Sequence, residues 1–297
     1  MSFDVIIIGG SYAGMSAGLQ LARARRNILV IDAGERRNRF AATSHGFLGQ
    51  DGRDPAVIVS EARAQLERYP TVQWLNAKVE SARQAEGEFA VAIGRGTQLK
   101  GKRLILATGV VDRLPAIPGL QERWGKSVFH CPYCHGYELD QGRIGVIASS
   151  EHSMHHALML PDWGKTTFFT NGAFIPDADQ SSQLHARGVT IETAVVREIR
   201  GDRADVALED GRVVAMDGLF TLSRTSVQAS WAEKLGCAFE EGPMGSFIST
   251  DAVKQTTVKG VFACGDAARA AGSVALAVGD GALAGAATHR SLMFEDA

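Results

Sequence analysis

Residues 4–32 set the strongest constraint on the fold. Asp4–Ile8 is a short β-branched run suited to a buried parallel strand, Gly9-Gly10-Ser11-Tyr12-Ala13-Gly14 follows, and Met15–Arg25 continues with apolar residues at helical spacing. A second strand, Asn27–Ile31, ends at Asp32, about twenty residues beyond the turn, where an acid can accept from a ribose 2′-hydroxyl. Strand, glycine turn, helix, strand and acid in that order describe a dinucleotide-binding unit, with the diphosphate at the helix N-terminus. The turn reads G-x-S-x-x-G, and Ser11 is small enough to stand where a glycine usually lets backbone approach the diphosphate.

Later segments return to this unit. Glu35–Phe47 is rich in arginine and asparagine; it is either a solvated loop or a cofactor lining in which Arg37, Asn38 and Arg39 contact the ligand and His45 approaches its reactive ring. Pro55–Tyr69 reads as a helix, and Val72–Val79, Phe89–Ile93 and Leu104–Ala107 as strands. The last closes at Thr108-Gly109, so Ala107, Thr108 and Gly109, with Val79, are expected at the cofactor edge. Near the end, Val261–Asp266 reads as a strand stopping at Gly265-Asp266, followed by a small-residue helix over Gly272–Leu292. Asp266 could accept from sugar or ribityl hydroxyls. The helix N-terminus around Ser273 and Val274 would place positive potential beside the cofactor ring.

The chemistry points to the middle of the chain, at Phe129-His130-Cys131-Pro132-Tyr133-Cys134-His135-Gly136-Tyr137-Glu138. Pro132 suits a first helical turn, which leaves Cys131 at the positive end of the helix, where a thiolate is favoured. Either His130 or His135 can hold a thiol proton near neutral pH. A zinc site would need two further ligands, usually a second cysteine pair, and Cys237 and Cys264 stand alone. Redox cycling is therefore expected, and no metal.

With 297 residues the chain is long for a single core, so two domains are expected. The balance of 31 basic against 33 acidic residues suggests neither nucleic acid nor an anionic membrane as partner. Without a signal peptide or a span-length apolar run, a cytoplasmic protein is expected. Leu114-Pro115-Ala116-Ile117-Pro118-Gly119 reads as a crossing linker. Beyond the cysteines, Arg143–Ala148 starts another α/β unit, but its turn is Ala148-Ser149-Ser150-Glu151-His152-Ser153, which lacks the glycines and sets Glu151 where phosphates would lie. The next strand, Thr166–Thr170, leads to Asn171-Gly172-Ala173, with no arginine for a 2′-phosphate. His152, His155 and His156 are expected on a partly exposed helix face rather than around a metal.

Taken together, the Gly9–Gly14 turn, Ala107-Thr108-Gly109, the mid-chain Cys-x-x-Cys and Gly265-Asp266 resemble the low-molecular-weight thioredoxin reductases over nearly the whole chain. Within that group, the His130–Glu138 stretch and Ser44-His45-Gly46-Phe47-Leu48 are more similar to the FAD-dependent dithiol oxidases that close disulfides in natural products such as gliotoxin and holomycin. The resemblance implies an α/β protein of two Rossmann-like, three-layer domains, the second inserted in the first. An FAD domain would take residues 1–115 and 246–297, with a cysteine-bearing domain of degenerate nucleotide site at 116–245. It further implies FAD, a homodimer, Cys134 facing the flavin, Cys131 exchanging with substrate, and His45 near the FAD. Three functions are open: oxidation of a small-molecule or peptide dithiol with electrons passing through FAD to oxygen; reduction of thioredoxin or a similar partner, fed by NADPH or by a protein donor such as ferredoxin; and non-catalytic redox sensing.

Overall fold

The computed structural model describes residues 2–94, 96–227 and 229–294. The last three residues of the expected second FAD segment lie outside this range. Five parallel strands, in the spatial order Val72–Asn76, Ile28–Asp32, Ser2–Ile8, Thr97–Leu106 and Val261–Ala263, form the body of a seven-stranded sheet. Thr97–Leu106 is forked. Its residues 104–106 pair with Val261–Ala263, while residues 97–101 pair antiparallel with Glu88–Ile93, which in turn pairs with Val79–Ala85.

The near-continuous apolar runs of the central strands are what burial on both faces requires. Val5 and Ile7 face a core with Leu21, Leu66 and Ala284 from the helices Tyr12–Arg23, Pro55–Glu67 and Val274–Met293. Ile6 and Ile8 face the opposite core with Val79, Phe89, Trp231 and Ile248. The first and last helices touch backbone to backbone: a Cβ on Gly281 would lie 2.1 Å from the Ala13 carbonyl oxygen, and one on Gly285 would lie 2.5 Å from that of Ala17. Close approach explains the small-residue composition of the last helix.

A second sheet is entirely parallel, in the order Thr190–Glu192, Gly164–Phe169, Gln141–Ile147, Gly218–Thr221, Val128–Phe129. Met154, Ala157 and Leu184 from the helices Ser153–Met159 and Ala178–Ala186 cover one face. Val196, Ile199, Val206 and Leu208, from a three-stranded antiparallel layer, cover the other. All these strands lie in sequence between Thr97–Leu106 and Val261–Ala263. Val111–Arg113 and Arg224–Ser226 form an antiparallel ribbon that sets Asp112 opposite Thr225.

Several boundaries differ from the sequence reading. The expected strand Val72–Val79 is two strands, because the Ala77 amide bonds to the Asp32 carbonyl at 2.9 Å and the chain then turns into Val79–Ala85. Alternating apolar residues run through the turn, so the pattern hides it. Leu104–Ala107 is the end of a longer strand from Thr97, whose earlier part is masked by Lys100, Lys102 and Arg103. The strand expected to reach Asp266 ends at Ala263, and Gly265–Ala268 is a short 3-10 turn. His156 is buried rather than part of an exposed face, with its ring against Phe220 at 6.2 Å, while His152 and His155 are exposed.

Candidate active site

The glycine turn is built by contact. Gly9 has φ +102°, and a Cβ there would sit 2.2 Å from the Ala107 carbonyl oxygen; one on Gly14 would sit 1.8 Å from the Gly9 oxygen. Gly10 is closed in by Trp74 and Asp32, and its amide donates to Asp32 Oδ1 at 2.9 Å. Asp32 thus braces the turn as well as facing the space above it. Ser11 is the N-cap of Tyr12–Arg23 and makes no side-chain capping bond, so the amides of the first turn face outward.

Above this turn lies an open cavity of about 420 Å³. Gly9, Gly10, Ser11, Tyr12, Ala13 and Asp32 line one end; Arg37, Asn38, His45, Ala107, Thr108, Gly109, Gly265, Asp266, Ser273 and Val274 continue along it; His130, Cys131, Cys134 and His135 complete the wall. Most of the residues expected at the site therefore meet in one place. Three do not line it. Gly14 supports the turn from beneath. Arg39 points away, with its guanidinium 4.4 Å over the Phe40 ring and Nη1 bonded to the Arg36 carbonyl at 2.9 Å. Val79 is buried in the core beneath the sheet. Both were expected at the cofactor, and neither position in sequence shows which way its side chain turns.

The cavity suits a dinucleotide. It offers a helix N-terminus for the diphosphate, a glycine turn whose bare backbone lines it, and buried side-chain atoms without a protein partner at Thr108 Oγ1, Asn38 Oδ1 and Arg36 Nε.

At the far end, Cys131 and Cys134 are joined in a disulfide. Cys131 is the N-cap of the single turn Pro132–His135. His135 stacks on Phe129 with ring centroids 4.3 Å apart. Burial, and then the charge of His45, lower its pKa from 6.5 to about 4. His130 is buried more deeply; burial and then the Arg37 charge take it to about 3, and its Nδ1 has no partner. Both rings are therefore neutral at pH 7, with a lone pair free for a thiol proton, and the burial that keeps them neutral also lowers their basicity. His45 lies across the gap from the redox turn, with Nε2 3.4 Å from Glu138 Oε1 and 3.1 Å from Thr43 Oγ1.

Sequence reasoning did not find Asp112 or Ser223. Arg37 donates to Asp112 from Nε at 2.8 Å and Nη2 at 2.7 Å, and to Asp266 from Nη1 at 2.9 Å; Ser223 Oγ donates to Asp112 at 2.6 Å. Burial alone would raise the Asp112 carboxyl, but the Arg37 hydrogen bonds and charge outweigh it and hold the group below its ordinary value. Asp266 is thus occupied on one oxygen by Arg37. No local signal marks this group, since its members are 75 to 229 residues apart.

The corresponding turn of the second sheet is closed on itself. The Ser149 amide donates to Ser153 Oγ at 3.0 Å and the Ser153 amide to the Ser150 carbonyl at 3.0 Å. Glu151 stays exposed beside Gln180. Asn171 Oδ1 is taken by the Val196 amide, and Arg212, which reaches the neighbouring Glu192, is held there and by Asp210. Among the described residues, no group of three or more His, Cys, Asp or Glu could hold a metal ion, and no helix is long and apolar enough to cross a membrane.

A family model for pyridine nucleotide-disulphide oxidoreductases matches residues 3–281. Thioredoxin reductase tcpT of Claviceps purpurea (strain 20.1) is 32% identical over 304 residues, covering 98% of this chain and 94% of its own. Thioredoxin reductase sirT of Leptosphaeria maculans is 32% identical, with coverage of 97% and 93%. Among solved structures, an oxidoreductase from Agrobacterium tumefaciens is 66% identical over the full length of both chains with a TM-score of 0.97. HlmI is 34% identical over 99% of this chain and 94% of its own, with a TM-score of 0.92.

Proposed function

The chain belongs to the pyridine nucleotide-disulphide oxidoreductases, with FAD as cofactor, and on that premise we propose that it oxidises a substrate dithiol to a disulfide. Residues 1–115 and 246–297 would hold FAD, and residues 116–245 would carry the cysteines. Gly9, Gly10, Ser11 and the first turn of Tyr12–Arg23 would bind the diphosphate, with Asp32 at the adenosine ribose and Thr108 and Asp266 further along. When bound, FAD supplies an acceptor for two electrons that can pass them on to oxygen.

The chain's own residues do the thiol chemistry. A substrate thiolate attacks Cys131, the Cys131–Cys134 bond breaks, and Cys134 leaves as a thiolate, which takes up a proton carried by His135 from the substrate thiols. The second substrate thiol attacks the mixed disulfide at its own sulfur, releasing Cys131 and the cyclic product. His135 accepts the protons shed by the substrate thiols. The enzyme then holds two electrons and two protons as the Cys131–Cys134 dithiol, and losing them restores the disulfide.

The closed turn at Ser149–Ser153 carries this reading, because NADPH requires a close backbone approach that this turn does not offer. The relatives named thioredoxin reductase keep a second reading in view, reduction of a protein disulfide with NADPH or a protein donor. Anaerobic mixing separates the two. A small dithiol should bleach the flavin and air should restore it with formation of peroxide, while NADPH should leave it oxidised. Bleaching by stoichiometric NADPH would establish the reductase; bleaching by dithiol without recovery in air would point to a protein acceptor.

A further inference from the structure

We infer that Asp112 is a positioning residue that fixes the cysteine-bearing half over the cofactor cavity. The two sheets are joined by chain crossings that run through one ribbon, Val111–Arg113 against Arg224–Ser226. A two-stranded ribbon twists easily, so its ladder alone does not define the angle between the bodies it joins.

Asp112 supplies what the ribbon lacks. It lies on the first crossing, its Oδ1 accepts from Ser223 at the start of the second, and both its oxygens accept from Arg37 on the loop after Asp32. Arg37 directs its remaining arm to Asp266, in the 3-10 turn that follows the last strand of the seven-stranded sheet. One carboxylate thereby gathers both crossings onto the cofactor side. The side chain of Asp112 is 8% exposed and that of Arg37 20%. A two-pronged guanidinium–carboxylate pair is directional, and opening a pair so poorly hydrated strands both charges, so the joint has one favoured geometry. Other contacts cross the gap: the Phe40–Ala41 backbone packs against Gly125 without a directional bond, and His45 to Glu138 at 3.4 Å is longer and more exposed. Asp112, Arg37, Cys131 and Cys134 line the same cavity, so an error at this joint becomes a displacement of the disulfide relative to the cofactor.

The inference rests on the reading that electrons leave the Cys131–Cys134 pair for FAD. It predicts that loosening the joint slows that transfer without slowing substrate attack on the disulfide. The FAD-loaded Asp112→Asn variant should be compared with the parent in three measurements: small-angle X-ray scattering, anaerobic opening of Cys131–Cys134 by a small dithiol read by alkylation and mass, and flavin bleaching. Expected are a broadened scattering profile, opening changed less than about twofold, and bleaching slowed roughly ten- to a hundredfold, the scale of a small misplacement of reacting groups. Scattering and bleaching like the parent's would overturn the inference, as would equal slowing of opening and bleaching. If Asp112→Asn does not fold, Ser223→Ala removes one hydrogen bond and leaves the charges paired; bleaching should slow roughly threefold with opening unchanged, and no change would again overturn it. If dithiol fails to open the disulfide of the parent, the oxidase reading falls, and scattering alone still decides the role of Asp112.

Discussion

The imidazole of His135 lies on the ring of Phe129, with centroids 4.3 Å apart and planes 19° from parallel. The stack and the burial that comes with it keep the ring neutral down to about pH 4, so His135 is ready as an acceptor across the neutral range. His135→Ala should slow dithiol oxidation roughly a hundredfold. Phe129→Leu should move the acid limb of the rate from about 4 toward the ordinary 6.5, because water reaches the ring. A pH profile of anaerobic flavin bleaching reads both, and an unshifted limb in Phe129→Leu would remove the stack as the cause.

The two cysteines should be unequal. Cys131 caps the short helix and Cys134 lies within its only turn. In Cys131→Ser, the remaining Cys134 thiolate should give a long-wavelength charge-transfer band with oxidised flavin; in Cys134→Ser, Cys131 should instead be the thiol that alkylating reagents reach first. Absorbance spectra and alkylation rates test the assignment, and the opposite pattern would exchange the roles.

Gly9→Ala should yield largely colourless protein. The left-handed φ of +102° and the 2.2 Å approach of a Cβ to the Ala107 oxygen force the turn to move, at a cost of about 1–3 kcal/mol from backbone strain alone. Asp32→Ala should weaken FAD binding more mildly, since it removes the brace on the Gly10 amide. Released flavin, counted against protein, checks both.

Acid should destabilise the fold through its buried histidines. His130 is held at about 3, and His135 and His156 at about 4, against 6.5 when unfolded. Above 6.5 neither state binds a proton, so the groups cost nothing. As pH falls through 6.5 the unfolded chain gains protons that the folded chain does not, and stability drops until the folded values near 4 are reached. His156→Phe should flatten this fall while keeping the contact with Phe220. Urea midpoints between pH 7 and pH 4 would show it; an equally steep fall would assign the loss to other groups.

The parts of the site readable in sequence were those encoded locally. The Gly9–Gly14 turn with Asp32 is legible because its strand, turn, helix and acid are consecutive, although the atoms that exclude a side chain at Gly9 and Gly10 come from Ala107 and Trp74. Cys131, Pro132 and Cys134 do the same within one helical turn. Long-range partners left no trace: Asp112 sits in an unremarkable Val-Asp-Arg strand, and only folding brings it to Arg37 and Ser223. Side-chain direction was equally hidden. Arg37 and Arg39 are neighbours of the same type in one loop, yet the first turns into the cavity and the second lies over Phe40. The Val72–Val79 boundary failed because alternation does not register a turn that preserves it.

The backbone contact of Gly281 and Gly285 with Ala13 and Ala17 also bears on synthesis at the ribosome. The nascent chain exposes the cofactor turn early, but the helix that packs against its first helix is translated after every strand of the second sheet. The cysteine-bearing half can therefore complete its core while the first half still waits for its closing helix, and retention of FAD should begin only after Val274–Met293 has emerged from the exit tunnel.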